Sequence, residues 1–127
     1  MEPEIKPTIL LYKRDYNEEF CETKHKRVLS LLTSDTVKPL IDQDTTPKLF
    51  MFLIFACSVA GNIKSEIEIL LDESHRRFVS KICVPNGDLT ILDDETLDYL
   101  KNLCIHSQEL QLVHHNPDIF ITAYLYY

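Results

Sequence analysis

The stretch 76-RRFVSKICVPNGDLTIL-92 decides what kind of fold the chain builds. Its β-branched residues and the Pro-Asn-Gly-Asp turn fit a β-hairpin, because Asn-Gly is a favoured two-residue hairpin loop. The same residues fit a helix ending before Pro85: Phe78, Val79, Ile82 and Cys83 fall at i, i+1, i+4 and i+5, a helical stripe. A lone hairpin needs a sheet to join, and the sequence around this one reads as helical. The helix is therefore preferred, and with it an all-α fold.

Working outward, 49-LFMFLIFACSVAGN-62 opens with twelve residues that carry no charge. That run is too short to span a bilayer, which takes about 20 apolar residues, and it reads as a helix buried on nearly every side. Helix-start signals recur along the chain. The segment 46-TPKL offers a Thr N-cap followed by Pro, 65-SEIE has the form of a capping box, 93-DDETL places carboxylates at a helix N-terminus, and 116-NPD repeats the cap-then-proline order. The expected helices are 47–60, 65–72, 74–84, 94–105, 107–114 and 117–126, with further ones near 8–20, 24–33 and 35–41. Two glycines in the whole chain are few for a β-sandwich or barrel.

At 127 residues the chain is one ordinary domain, able to bury roughly two thirds of its unfolded surface. Apolar residues make up 45% and charged residues 26%, which argues against wholesale disorder. The four cysteines are widely spaced with no CxxC, so no disulfide framework or zinc motif is implied. The N-terminus, MEPEIKPTIL, lacks the basic start and unbroken apolar core of a signal peptide. Together these predict an intracellular protein, cytoplasmic or nuclear. The net charge is −7, and residues 87–127 hold seven acids against one base. Such a balance opposes nucleic acid and anionic membranes as partners.

The chain also repeats. Laying 52-FLIFACSVAGN-62 over 96-TLDYLKNLCIH-106 matches Leu53 with Leu97, Phe55 with Tyr99 and Val59 with Leu103. Further on, 66-EIEILLDESHRRFVSKI-82 lies over 109-ELQLVHHNPDIFITAYL-125, with Phe78 set against Phe120 after a one-residue gap. A helical period in the low forties is the spacing of armadillo and HEAT arrays. At 97-LDYLKNLCIHSQELQLV-113 and 53-LIFACSVAGNIKSEIEILLDE-73 the chain resembles the armadillo family. The resemblance implies a short armadillo-like stack of about two to three units: a weak first unit over 8–45, a central unit over 46–86 and a C-terminal unit over 87–127.

Function follows as expectation. In the resemblance, Asn102 sits where armadillo proteins hold an extended peptide backbone, with Asp98 one turn earlier to take a basic side chain and Ser58 at the matching position of the previous unit. The aromatic end 119-IFITAYLYY-127 reads as an uncapped terminal helix. Phe120, Tyr124, Tyr126 and Tyr127 then form an association surface, since Tyr joins an apolar ring to a polar tip. The expected protein is a non-enzymatic adaptor or scaffold. It binds another protein, including a basic peptide segment, through a concave groove or its C-terminal end, and it forms an oligomer such as a homodimer through the C-terminal helix. The alternative is a compact helical bundle that sequesters an amphipathic partner helix; a third reading is a small enzyme with a Cys-His pair. No catalytic motif, metal-ligand spacing or phosphate loop appears, so no catalytic residue, metal or cofactor is assigned. The acids Asp88, Asp93, Asp94, Glu95 and Asp98 read as helix-N-terminal charge that also attracts a basic segment.

Overall fold

The structure, a computed structural model, describes residues 8–14, 24–63, 65–85 and 93–127. Among these residues it is a mixed α/β protein. Strands β1 (Ile9–Arg14), β2 (Glu66–Asp72), β3 (Arg77–Val84), β4 (Glu109–His115) and β5 (Asp118–Tyr126) form one antiparallel sheet in the order β1-β2-β3-β5-β4. Three helices, α1 (Lys24–Leu32), α2 (Thr45–Asn62) and α3 (Asp94–Ile105), form a layer on one side of it, and a 3-10 turn at Lys38–Leu40 leads from α1 towards α2.

The strands follow from strict alternation. In β2, Ile67, Ile69 and Leu71 are buried on the helix side while Glu66, Glu68 and Leu70 point the other way. Phe78, Ser80 and Ile82 of β3 and Ile121, Ala123 and Leu125 of β5 continue the same buried rows, because directly opposed residues share a face. Helix α2 lies in the middle of the layer, packed on β2 and β3 below and flanked by α1 and α3. Its Leu49, Phe52, Leu53, Ala56 and Cys57 are fully or nearly fully buried, which accounts for the long uncharged run. The run is central, but its floor is a sheet and not a further pair of helices.

The ends of these elements show which local signals the chain uses. Asp93 caps α3, its Oδ1 accepting from the Thr96 amide at 2.8 Å. At α2 the cap is supplied earlier than 46-TPKL suggests: Asp42 Oδ1 accepts from the amides of Thr45 (2.8 Å) and Asp44 (3.0 Å). Ser65 opens no helix; it is buried, and its hydroxyl donates to the Ala60 carbonyl at the end of α2. Buried Arg14 of β1 donates to that same carbonyl (2.7 Å) and to the Ser65 carbonyl (3.0 Å), tying the sheet edge to the helix end. Asn116 and Pro117, joined by a cis peptide bond, form the turn between β4 and β5 and not a helix start.

The all-α expectation, the armadillo-like stack and the helical-repeat description built on it are therefore corrected. Segments 65–72, 74–84, 107–114 and 117–126, expected as helices, are the four strands β2 to β5, and 8–20 contains β1 as far as it is described. The stripe at 78–83 misleads for a physical reason. Phe78 and Ile82 enter the core while Val79 and Cys83 lie on the opposite face of the strand, and when both faces carry apolar residues a helical count and a strand count score alike. Helices 47–60, 94–105 and 24–33 correspond to α2, α3 and α1. The Pro-Asn-Gly-Asp turn extends beyond Pro85 outside the described residues.

The internal repeat has a structural counterpart of another kind. It is α2 followed by the β2–β3 hairpin, then α3 followed by the β4–β5 hairpin, and the two hairpins meet at β3 and β5. The one-residue gap sets core Phe78 against outward Phe120, and a one-residue slip in a strand exchanges its faces. Without the gap Phe78 meets Ile121 and Ile82 meets Leu125, core against core.

Candidate functional site on the open face of the sheet

The helix layer leaves the other face of the sheet uncovered among the described residues. Register alone arranges that face into cross-strand rows. One runs Leu10, Leu70, Val79, Tyr124, Glu109; the next runs Lys13, Glu68, Lys81, Thr122, Gln111; a third runs Glu66, Cys83, Phe120, Val113. Two rows dominated by apolar side chains thus flank a polar one. The polar row alternates in sign, with the Glu68 carboxylate between Lys13 and Lys81 in register.

At one end of the face Asp72, Arg77 and Tyr126 stand in line. Arg77 Nε donates to Asp72 Oδ2 at 2.9 Å and Nη1 to the Tyr126 hydroxyl at 3.3 Å, and the guanidinium lies over the Tyr124 ring. His75 Nδ1 is also 2.9 Å from Asp72 Oδ2. Burial pushes the Asp72 carboxyl up, but the hydrogen bonds and charges of Arg77 and His75 outweigh that and hold it below its ordinary value. Between β2 and β3 the backbone turns at Arg76, a non-glycine residue in the left-handed region (φ 50°). It is held there by its amide on the Glu73 carbonyl and by its own carbonyl, which accepts from the Tyr127 amide at 2.9 Å.

At the other end, Glu66, Glu68, Lys81, Cys83, Phe120 and Thr122 line a shallow depression of about 340 Å³. Phe120 is 38% exposed, and beside it in the same row Val113 is 49% exposed. Burial raises the Cys83 thiol, helped by the charges of Asp118 and Glu66, so at neutral pH it is a protonated, weakly nucleophilic group. Among the described residues no three His, Cys, Asp or Glu side chains gather as a metal site. No described helix is long and apolar enough to cross a membrane.

The residues singled out from the sequence divide between the two sides of the molecule. Phe120, Tyr124 and Tyr126 lie together on the open face. Tyr127 turns to the helix side, its ring 5.2 Å from that of core Phe78 with Arg76 over it. Burial raises the Tyr127 hydroxyl's pKa. Asp98 and Asn102 are on α3, in the opposite layer, and the Asn102 amide donates to the Asp98 carbonyl at 2.9 Å within its own helix. Ser58 is buried in α2, donating to the Ile54 carbonyl. Asp88 lies outside the described residues. There is no terminal helix for end-to-end docking, because 118–126 is an inner strand between β3 and β4. Sequence reasoning missed Arg77, Cys83 and Val113 as members of this face; the alternation 67, 69, 71 against 66, 68, 70 is the signal that points to it.

Compared with known proteins, the chain matches no protein-family model and no curated protein at a significant level of sequence similarity.

Proposed function

We infer that the protein is a non-enzymatic binding module that holds a segment of another protein against the open face, along the row Glu66, Cys83, Phe120, Val113. The observation that carries this reading is the pair of exposed apolar side chains, Phe120 and Val113, adjacent on β5 and β4 and continuous with the depression at Cys83. Apolar side chains presented together on a rigid scaffold mark association sites. The row ends in the exposed carboxylate of Glu66, and the net charge of the chain is −7. The partner segment therefore carries an apolar residue for Phe120 and Val113 and a basic residue for Glu66. An intracellular setting, cytoplasmic or nuclear, goes with this reading, since Cys83 and Cys104 are free thiols.

Selection from a phage-displayed random peptide library tests it. The expected result is enrichment of peptides pairing Lys or Arg with an apolar residue, whose binding is lost in Phe120→Ser, weakened in Glu66→Gln and kept in Ile105→Ser on the helix layer. Enriched peptides that bind Phe120→Ser as well as the wild type, or no enrichment, would overturn the reading.

A further inference from the structure

Strand β4 is one edge of the sheet. It pairs with β5 in unbroken register from Glu109–Tyr124 to His115–Asp118, and no strand among the described residues lies on its other side. An edge strand presents a row of unpaired N–H and C=O groups, which proteins blunt with bulges, lysines, prolines or covering elements. The opposite edge, β1, has such devices: a register shift between Leu10 and Tyr12, and Lys13 pointing outward. In β4, ELQLVHH, there is no proline, no lysine and no bulge. The helix layer also stops short of it, for Leu112 lies on the helix side of the sheet and is still 39% exposed.

We propose that β4 pairs antiparallel with β4 of a second copy, about a two-fold axis perpendicular to the sheet and centred on Leu112, so that two five-stranded sheets become one. The axis has to fall on a residue, because opposed residues share a face only then. Centring on Leu112 uses the whole strand. Leu112 meets its own copy, Gln111 meets Val113, Leu110 meets His114, and Glu109 meets His115. The acid and the imidazole lie three positions to either side of Leu112, so the strand is complementary to itself. Moving the centre one residue either way shortens the ladder and breaks the Glu109–His115 match. This self-complementarity identifies the occupant as a second copy of the chain. The contact is isologous and closes at two copies, leaving the bulged β1 edges outermost. It does not rest on the peptide-binding reading, since it uses the backbone edge of β4 and not Phe120.

Sedimentation equilibrium over a concentration series at low salt tests the proposal. The wild type is expected to show a concentration-dependent dimer. Leu112→Lys sets two like charges opposite each other at the axis and is expected to weaken the dimer about tenfold or more, because opposed like charges destabilise a strand pair. The site is exposed, so the melting temperature of the dilute protein should be unchanged. Glu109→Lys and His115→Glu should each weaken the dimer, and the two together should restore it. A monomer at every concentration, a dimer indifferent to Leu112→Lys, a double variant that fails to recover, or a dimer lost in Phe120→Ser would each overturn the proposal.

Discussion

The guanidinium carbon of Arg77 lies 4.4 Å from the centre of the Tyr124 ring, on a face of the sheet that no described helix covers. The two residues are diagonal neighbours on β3 and β5: Arg77 is opposite Tyr126, and Tyr124 is opposite Val79. Both residues border Val79, which is only 4% exposed although no described helix lies on this face. A planar cation over an aromatic face combines electrostatic attraction with packing of its stem.

Replacing Arg77 with Ala is accordingly expected to cost about 2 kcal/mol, from the cation-π contact and two hydrogen bonds together. Arg77→Lys keeps the charge but not the planar fork, and should recover only part of the loss. Urea melts check this; an Arg77→Ala variant within about 0.5 kcal/mol of wild type, the usual range of surface changes, would refute it.

The pairing of Asp72 also makes stability depend on pH. Its pKa is lower in the folded protein than in the unfolded chain, so the unfolded state binds more protons in the carboxylate range. The stabilisation is complete above about pH 5 and is lost as pH falls through the lowered value, below the ordinary carboxylate pKa of about 3.9. The stability gap between wild type and Asp72→Asn should therefore be full at pH 7 and close on acidification. A gap that stayed constant down to acid unfolding would show that the charge of Asp72 contributes nothing.

Within α2, two aromatic residues separate core packing from surface stacking. Phe52 is fully buried, whereas Phe55 is partly exposed and stacks on the His106 ring at 5.5 Å with nearly parallel planes. Truncating Phe52 to Ala should cost about 3 to 5 kcal/mol. The cost at Phe55 should be smaller, about 1 to 2 kcal/mol, because less apolar surface returns to water. Equal costs in denaturant titrations would contradict this packing.

Loss of the Asp93 cap, in Asp93→Ala, should lower the melting temperature, and Asp42→Ala should do the same at the start of α2. Both carboxyls are held below their ordinary pKa, first of all by the hydrogen bonds that they accept from Thr96 and Thr45. The caps serve different helices and share no partner, so the double variant should show the sum of the two losses. A clear departure from additivity in thermal melts would argue against separate caps.

Local signals along the chain were sufficient to recognise α1, α2 and α3. An α-helix closes its hydrogen bonds within four residues, so a periodic apolar stripe and a cap such as Asp93 carry most of the information needed. A repeat was legible too, but its second and third segments read as helices; and Phe120, Tyr124, Tyr126 and Tyr127 stood out as one aromatic group, of which the strand places the first three on the open face and turns Tyr127 to Phe78. The strands were not legible, because their partners are remote: Ile9 pairs with Leu71, and Val84 with Ile119. A strand leaves its backbone groups unsatisfied until such partners arrive, so the β-branched residues of 77–84, which fit a strand, could not by themselves decide against a helix with the same apolar stripe. Which face of each strand enters the core depends likewise on where the helix layer comes to rest. That placement buries Phe78 and leaves Phe120 outside, although the two phenylalanines occupy matched positions in the gapped repeat; only the pairing of β3 with β5 under α2 tells them apart, because a shift of one residue along a strand exchanges core for solvent.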